Sequence, residues 1–300
     1  MKCLVTGATG NIGSLVTERL VDAGVAVAVL VRDRAKARSM FGGAVEIRVG
    51  DMGADQASLS AAFAGADALF LLNSGPDLGA RDGVAALAAK AAGVRHVVKL
   101  STLDVSSGVG TGPWHARGEA AVRASGVAFT FIRTAAFMSN ALSWAESIKA
   151  EGVLRSSTGT GRIAFIHPHD IADVAVRALT TRDHHGDAPV ISGGRALTYG
   201  EMVTTIGAAI GEPIRFVEVT DVDARVGRGA YAEALVDIWR AIREGRSATV
   251  TDGVRRILGR DPLSFEQWVA ENMSAFVSAS PRRGRRAPHG RQPPSRSRAR

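Results

Sequence analysis

The sequence predicts an α/β protein built on a doubly wound parallel sheet, with a smaller α/β part toward the carboxyl end. Three observations carry that prediction. A short apolar run at Lys2–Val5 passes through a glycine turn, Thr6–Gly13, into a helix-period pattern. Apolar runs of strand length then alternate with helical segments up to about residue 135. After that point the order becomes less regular.

Each element follows from local pattern. Ile12, Leu15, Val16 and Leu20 fall at i, i+3, i+4 and i+8, one apolar helix face that stops at Gly24. Ala26–Val31 is apolar throughout, as expected of a strand covered on both faces. A polar helix starts at Arg34, and Val45–Val49 is a third strand ending in Gly50-Asp51. A helix around Ser58–Phe63 leads through Gly65-Ala66-Asp67 into the fourth strand, Ala68–Leu72. An alanine-rich helix over 82–92, a strand over Val94–Leu100, a helix over Glu119–Ser125 and a strand over Ala128–Ile132 complete the alternation. Beyond it, Phe137–Ala150 reads as a helix rich in large apolar groups, and Gly159–Ile166 as a turn and strand. A helix opens at Asp170, its expected N-cap, and runs to Leu179. Thr198–Ile210, Ala230–Arg243 and Leu263–Phe276 read as helices and Ile214–Val219 as a strand. The expected organisation is a nucleotide domain over 1–150, a substrate part over 151–279 interleaved with it, and a tail over 280–300.

A chain of 300 residues with 46% hydrophobic content can bury a full core. Its net charge of +8 is uneven: residues 281–300 hold eight arginines and no acid, which leaves residues 1–280 neutral. The folded part therefore has no general pull toward polyanions, and nucleic acid is expected to meet at most the tail, weakly. That Pro/Ser/Arg-rich tail is predicted to be disordered. Cys3 is the single cysteine, so no internal disulfide is expected. Met1-Lys2 leads directly into a strand, and Val25–Val31 is too short to span a bilayer. A soluble cytoplasmic protein is the expectation, and a homodimer is left open.

The glycine turn has the spacing G-x-x-G-x-x-G. Between a strand and a helix it marks a dinucleotide site of Rossmann type. Gly7 permits the tight turn, Gly10 lets backbone approach a pyrophosphate, and Gly13 lets helix and strand pack closely. Thr9, Asn11 and Ile12 complete the turn, and the helix N-terminus supplies free N–H groups. At the end of the second strand, Leu30-Val31-Arg32 has no carboxylate to hold a ribose 2′-hydroxyl. Arg32 suits a 2′-phosphate, so NADPH is expected ahead of NADH. The alternative is a solvated Arg32, with Asp33 turned to the ribose. Asp51-Met52 should line the adenine, and Asn73-Ser74 should border the pyrophosphate and nicotinamide ribose.

With those residues in hand, the chain resembles the NmrA-like branch of the atypical short-chain dehydrogenases/reductases over roughly residues 2–275. The likeness rests on Val5–Gly13, Val31-Arg32-Asp33, Gly50-Asp51-Met52, Ala92–Val98, Phe129–Arg133 and His169–Ala175. The resemblance implies an NADPH-dependent reductase of quinone-like or aromatic carbonyl substrates, by direct hydride transfer without flavin or metal. It also implies that Arg133–Phe137 lies against the nicotinamide, which makes Ala135 and Phe137 cofactor contacts. The same family holds proteins that bind NADP(H) without turnover, so a redox sensor stays open, as does a nonredox tailoring protein for aromatic intermediates.

The superfamily's Tyr-x-x-x-Lys is missing. Tyr199 and Tyr231 lie far downstream, and neither has a lysine four residues on. At the corresponding place stands His115-x-x-x-Glu119, similar to the quinone-reductase branch, and at i and i+4 the two side chains can meet on a helix. His115 is then a proton donor or carbonyl-orienting group with a pKa near neutrality; the alternative is a surface histidine beside a solvated glutamate. Ser101 and Thr102 follow the fifth strand, where the superfamily keeps a hydroxyl; Thr102 is a candidate catalytic group or a cap of the next loop. Lys99, inside an otherwise apolar strand, reads as an edge or snorkelling residue without chemistry. Trp114, Phe137 and Met138 are the candidate substrate pocket, against ordinary core as the alternative. His167-Pro168-His169-Asp170 invites a metal, but no further His or Cys cluster completes a site, so none is expected.

Overall fold

A computed structural model describes residues 1–224 and 229–277. The Arg-rich tail lies outside the described residues. Seven strands form one sheet: β1 (Lys2–Thr6), β2 (Ala26–Val31), β3 (Glu46–Val49), β4 (Ala68–Leu71), β5 (His96–Thr102), β6 (Ala128–Thr134) and, after a short pair β7 (Val153–Ser156) and β8 (Arg162–Ile163), β9 (Val190–Ile191). Their order is β3-β2-β1-β4-β5-β6-β9, and every pairing is parallel. Winding reverses between β1 and β4, where Val5 lies beside both Val29 and Phe70. In such a sheet ligands bind outside the carboxyl ends of the strands at the reversal.

Helices cover both faces. On one side α1 (Asn11–Asp22), α2 (Arg34–Phe41) and α7 (Pro168–Thr180) bury Val16, Leu20, Phe41, Ile171 and Val174 against the sheet, joined by α11 (Gly253–Leu258) through Val254. On the other side α3 (Gln56–Phe63), α4 (Leu78–Ala91) and α5 (Gly112–Ser125) bury Leu59, Phe63, Ala85, Ala89 and Val122. The alanine-rich face of α4 admits α5 closely: a Cβ added at Gly79 would lie 2.7 Å from Arg117 Cβ. A third core unites α6 (Ala145–Glu151), α8 (Tyr199–Ile210), α10 (Ala232–Arg243), which follows the short α9 (Asp221–Ala224), and α12 (Phe265–Asn272) around Trp144, Phe165, Met202, Trp239 and Trp268. Segments after residue 150 thus serve both parts, since β9, α7 and α11 all belong to the large sheet.

Several expectations need correction. The alanine-rich helix begins at Leu78 and α5 at Gly112, because the glycines and Pro113 there stand in first turns or packing faces, where they cost little. The Phe137–Ala150 segment is a 3-10 turn, Met138–Trp144, followed by α6. Asp170 does not cap α7. His167 does, its Nδ1 accepting the His169 N–H at 3.1 Å, with Pro168 opening the helix. Asp170 is fully buried in the first turn, where it accepts from Arg260 Nη1 at 2.6 Å and Leu263 N–H at 2.8 Å. Lys99 is neither an edge nor a snorkelling residue. It lies in the second-innermost strand with no solvent exposure, and its Nζ sits 2.7 Å from Asp82 Oδ2, equally buried.

The backbone approach that seats α1 is tight. A Cβ at Gly13 would stand 2.1 Å from Gly7 O and 2.6 Å from Gly7 C, so backbone would have to move. Gly13→Ala is therefore expected to cost about 1–3 kcal/mol in a denaturant melt and to weaken cofactor binding with it; an unchanged melt would show that α1 and β1 need no such contact.

Candidate active site

The strand ends meet at a cleft of about 720 Å³. Thr6 ties the reversal point together: its hydroxyl donates to Phe70 O at 3.0 Å and accepts the Leu72 N–H at 2.8 Å. Gly7 turns the chain at φ 65°, a left-handed value that favours glycine. Gly10 then serves as N-cap of α1, with no side chain capping it and no acid in the first turn. The helix start therefore presents backbone N–H groups and positive potential to whatever fills the cleft. That arrangement fits a pyrophosphate.

Of the predicted residues, Gly7, Gly10, Asn11, Ile12, Asn73, Ser74, Ser101, Thr102, Trp114, His115, Ala135 and Phe137 line this one cleft. Gly13 lies behind the turn, and Thr9 faces a neighbouring groove with His167 and Glu271. Arg32, Asp51 and Met52 lie past the ends of β2 and β3 and outside the cleft lining. The Arg32 side chain is 84% exposed, its Nη1 3.9 Å from Asp51 Oδ2, which leaves the guanidinium open to a phosphate. Asp33 does not turn toward a ribose: its carboxylate caps α2 by accepting the Lys36 N–H at 2.9 Å. Met138 is placed outside the cleft, buried in the third core beside a separate cavity of about 470 Å³.

The floor of the cleft carries two polar groups, each held from behind by a buried carboxylate. Asn73 Nδ2 donates to Asp82 Oδ1 at 2.8 Å, and Asp82 is matched by Lys99. Ser101 donates its hydroxyl to Glu119 Oε1 at 2.7 Å, and Glu119 is matched by Arg133, whose Nη2 lies 2.6 Å from Oε2. Ser101 thereby gives away its only hydrogen and Asn73 one of its two, which leaves the Ser101 oxygen and the Asn73 carbonyl oxygen as acceptors, suited to hydroxyl and amide donors of a dinucleotide.

His115 and Glu119 do not meet. Glu119 is buried at 3% exposure and consumed by Ser101 and Arg133, so it is not the solvated partner of the alternative reading either. His115 lines the cleft with its Nδ1 buried and unpartnered. Burial, and then the positive charge of Lys99, push its pKa down to about 3. The expected near-neutral pKa is therefore wrong: at pH 7 the ring is neutral and is not an imidazolium acid. Thr102 lines the cleft too, but its hydroxyl accepts the Asp104 N–H at 3.3 Å and caps the turn Leu103–Val105.

Sequence reasoning missed the far wall. Tyr231, Tyr199, Trp144, Phe165 and Trp239 all reach the cleft from the carboxyl-terminal part. Tyr231 meets Trp114 edge-on at 5.4 Å, and Trp144 lies 4.8 Å from Tyr199. No local pattern announces these residues, because α8, α10, two 3-10 turns and the loop after β8 deliver them. The metal reading also needs correcting in its ground. Glu271 on α12 does join His167 and His169, their ligand atoms all within 4.8 Å of one another. His167 Nδ1 accepts a backbone N–H, however, so the ring proton sits on Nε2, facing Glu271 Oε2 at 3.3 Å. The Nε2 makes no hydrogen bond there, so the three groups are neighbours rather than a bonded link between α7 and α12.

The match to known proteins follows this geometry. Residues 7–182 match the family model described as NAD(P)H-binding. The chain belongs to the NAD(P)H-binding family. A (4-alkanoyl-5-oxo-2,5-dihydrofuran-3-yl)methyl phosphate reductase from Streptomyces griseus is 41% identical, covering 91% of this chain and 99% of its own. An NAD(P)H azoreductase from Xenophilus azovorans is 33% identical over 92% and 99%. An NADPH-dependent quinone oxidoreductase from Escherichia coli superposes with a TM-score of 0.79 at 25% identity, over 90% of this chain and 98% of that one. The NmrA-like atypical short-chain dehydrogenase/reductase assignment stands. The protein is an NAD(P)H-dependent reductase of that type. Among the described residues no helix is long and apolar enough to cross a membrane.

Two outcomes follow from this family member's site. Arg32→Glu should weaken NADPH binding by about 10- to 100-fold, the worth of a charged hydrogen bond, and leave NADH nearly unchanged in titration calorimetry. Equal losses for both would remove Arg32 as selector. The second concerns acid. Burial lowers His96 and His167 to about 4 and His115 to about 3, so the unfolded chain takes up protons near pH 6.5 while the folded chain refuses them. Stability is then complete above pH 6.5 and lost as pH falls toward 4. Glu46, held down to about 2 by Arg48 and Lys2, adds its loss as pH falls from about 4.5 toward 2. The melting temperature should drop between pH 7 and 5; a flat profile there would mean these rings are not buried and neutral.

Proposed function

We propose that this reductase uses NADPH to reduce a conjugated carbonyl, quinone-like or other unsaturated planar acceptor held in the aromatic cleft. One observation carries the reading: the phosphate-binding turn and the aromatic wall line a single continuous cavity. Apolar walls with a few fixed polar groups are what a small-molecule site requires. The names of two relatives, an oxo-dihydrofuran reductase and an azoreductase, point to unsaturated acceptors and support the same class.

The cofactor, when bound, supplies hydride. The chain supplies position and dryness. Gly7, Gly10 and the start of α1 hold the pyrophosphate end, and Arg32 selects the 2′-phosphate. Asn73 and Ser101 accept hydrogen bonds on the floor, while Ala135 and Phe137 line the wall beyond them. Trp114, Tyr231, Trp144 and Phe165 exclude water and hold the acceptor flat against the reactive face. His115, neutral at working pH, orients the acceptor's oxygen by donating a hydrogen bond; the balancing proton comes from solvent.

The test is NADPH oxidation followed at 340 nm (from the nicotinamide absorbance) against a panel of quinones, conjugated ketones and azo dyes. Steady turnover with at least one class is expected. No turnover across the panel, with cofactor binding intact, would favour a sensor that binds NADP(H) and reports through a partner. In the active case His115→Ala should lower kcat at least about tenfold and leave cofactor affinity within twofold. Unchanged kcat would remove His115 from the chemistry.

A further inference from the structure

Lys99 and Asp82 are both fully buried, and their charged atoms lie 2.7 Å apart. Burying such a pair recovers at best about what desolvation takes, so apolar residues of equal size would hold the core as well. Its position indicates what else it does. Asp82 Oδ1 accepts from Asn73 Nδ2, and Asn73 is on the cleft floor. Lys99 Nζ also donates to Leu100 O at 3.2 Å, beneath the same floor. Above the pair lies α5: a Cβ at Gly118 would be 2.3 Å from Asp82 Oδ2 and 3.0 Å from Lys99 Cε. His115 stands one turn before Gly118 on that helix face, with its Nδ1 buried and unpartnered.

We propose that the Lys99–Asp82 pair is a positioning device beneath the cleft: the carboxylate fixes Asn73 as a hydrogen-bond acceptor, and the ammonium bars a second positive charge at His115. The proposal rests on the reductase reading of the cleft. An ionised carboxylate has no hydrogen to give, so the Asn73 amide must turn its NH2 inward and its oxygen to the cleft. An ammonium that cannot reach water works at low dielectric on its neighbour. The other titratable groups around His115 do not offset it. Glu119, one turn on, is consumed by Arg133 and Ser101, and Asp104 from the turn after β5 is bound to Thr102 and Ser107. Tyr231, from the far wall, is edge-on to Trp114. Burial and Lys99 act on the ring in the same direction.

The experiment is the double substitution Asp82→Asn/Lys99→Met in the full chain, which removes both charges at nearly constant volume. Ring NMR should show the His115 titration moving up, with burial still holding it below the ordinary histidine value. KM for NADPH should rise several-fold, because an Asn–Asn contact no longer dictates which way the Asn73 amide points. The kcat–pH profile, expected to be level from pH 5 to 8 in the natural protein, should acquire an acid limb. A folded double variant whose His115 titration is unmoved would overturn the proposal. So would an unchanged KM. Should the variant fail to fold, the natural protein decides through Asn73: side-chain amide protons protected from exchange with NADPH bound uphold the proposal, and freely exchanging ones, or a His115 ring titrating near 6.5, overturn it. Because the NMR readout needs no turnover, failure of the substrate reading would show separately, as an inactive protein whose His115 still responds to the double substitution.

Discussion

The rest of the structure depends on the backbone contact between Gly13 and Gly7 at the winding reversal. No side chain fits there: a Cβ on Gly13 would overlap the Gly7 carbonyl. The contact lets α1 begin directly above the end of β1, which aims its unpaired N–H groups at the space between β1 and β4. Thr6 fastens that spot by bonding to β4 in both directions. Everything a pyrophosphate needs is then backbone, and the side chains around it are free to serve the other end of the cleft.

Behind the floor, the fold solves one problem twice. A group meant to accept hydrogen bonds must have its own hydrogens spent elsewhere, and a buried carboxylate is the partner that forces this. Asp82 does it for Asn73 and Glu119 for Ser101. Each carboxylate then needs a cation, and Lys99 and Arg133 provide them from adjacent strands. Arg133 keeps some solvent contact, whereas Lys99 has none. Lys99, although paired with Asp82, is the charge that acts on His115, after burial itself.

Loss of the tyrosine–lysine couple changes how a carbonyl is handled. In the function proposed above, a neutral imidazole and a ring of aromatic groups orient a planar acceptor and exclude water, and acceptors that stabilise negative charge by conjugation ask little more. The cluster His167, His169 and Glu271 lies on the other flank of the glycine turn. Its capping bond, a histidine ring serving a helix start, uses the lone pair that a metal would require.

Much was legible in the order of residues. Strand, glycine turn and helix stand contiguous from Lys2 to Asp22, and Arg32 follows at the end of the next strand, so the nucleotide end is a local pattern. The sheet follows from apolar runs, because a strand buried on both faces must be apolar along its length. What only the tertiary structure decided is which polar groups lose water. Lys99 reads as a misplaced charge until α4 brings Asp82 to it, and Glu119 as a surface acid until β6 brings Arg133. His115 reads as an ordinary titrating ring until α5 buries it over an ammonium. Tyr231 and Trp144 reach the cleft from segments more than a hundred residues downstream of the turn. Burial and through-space charge are properties of neighbours far apart in sequence. Period and spacing report only on neighbours along the chain.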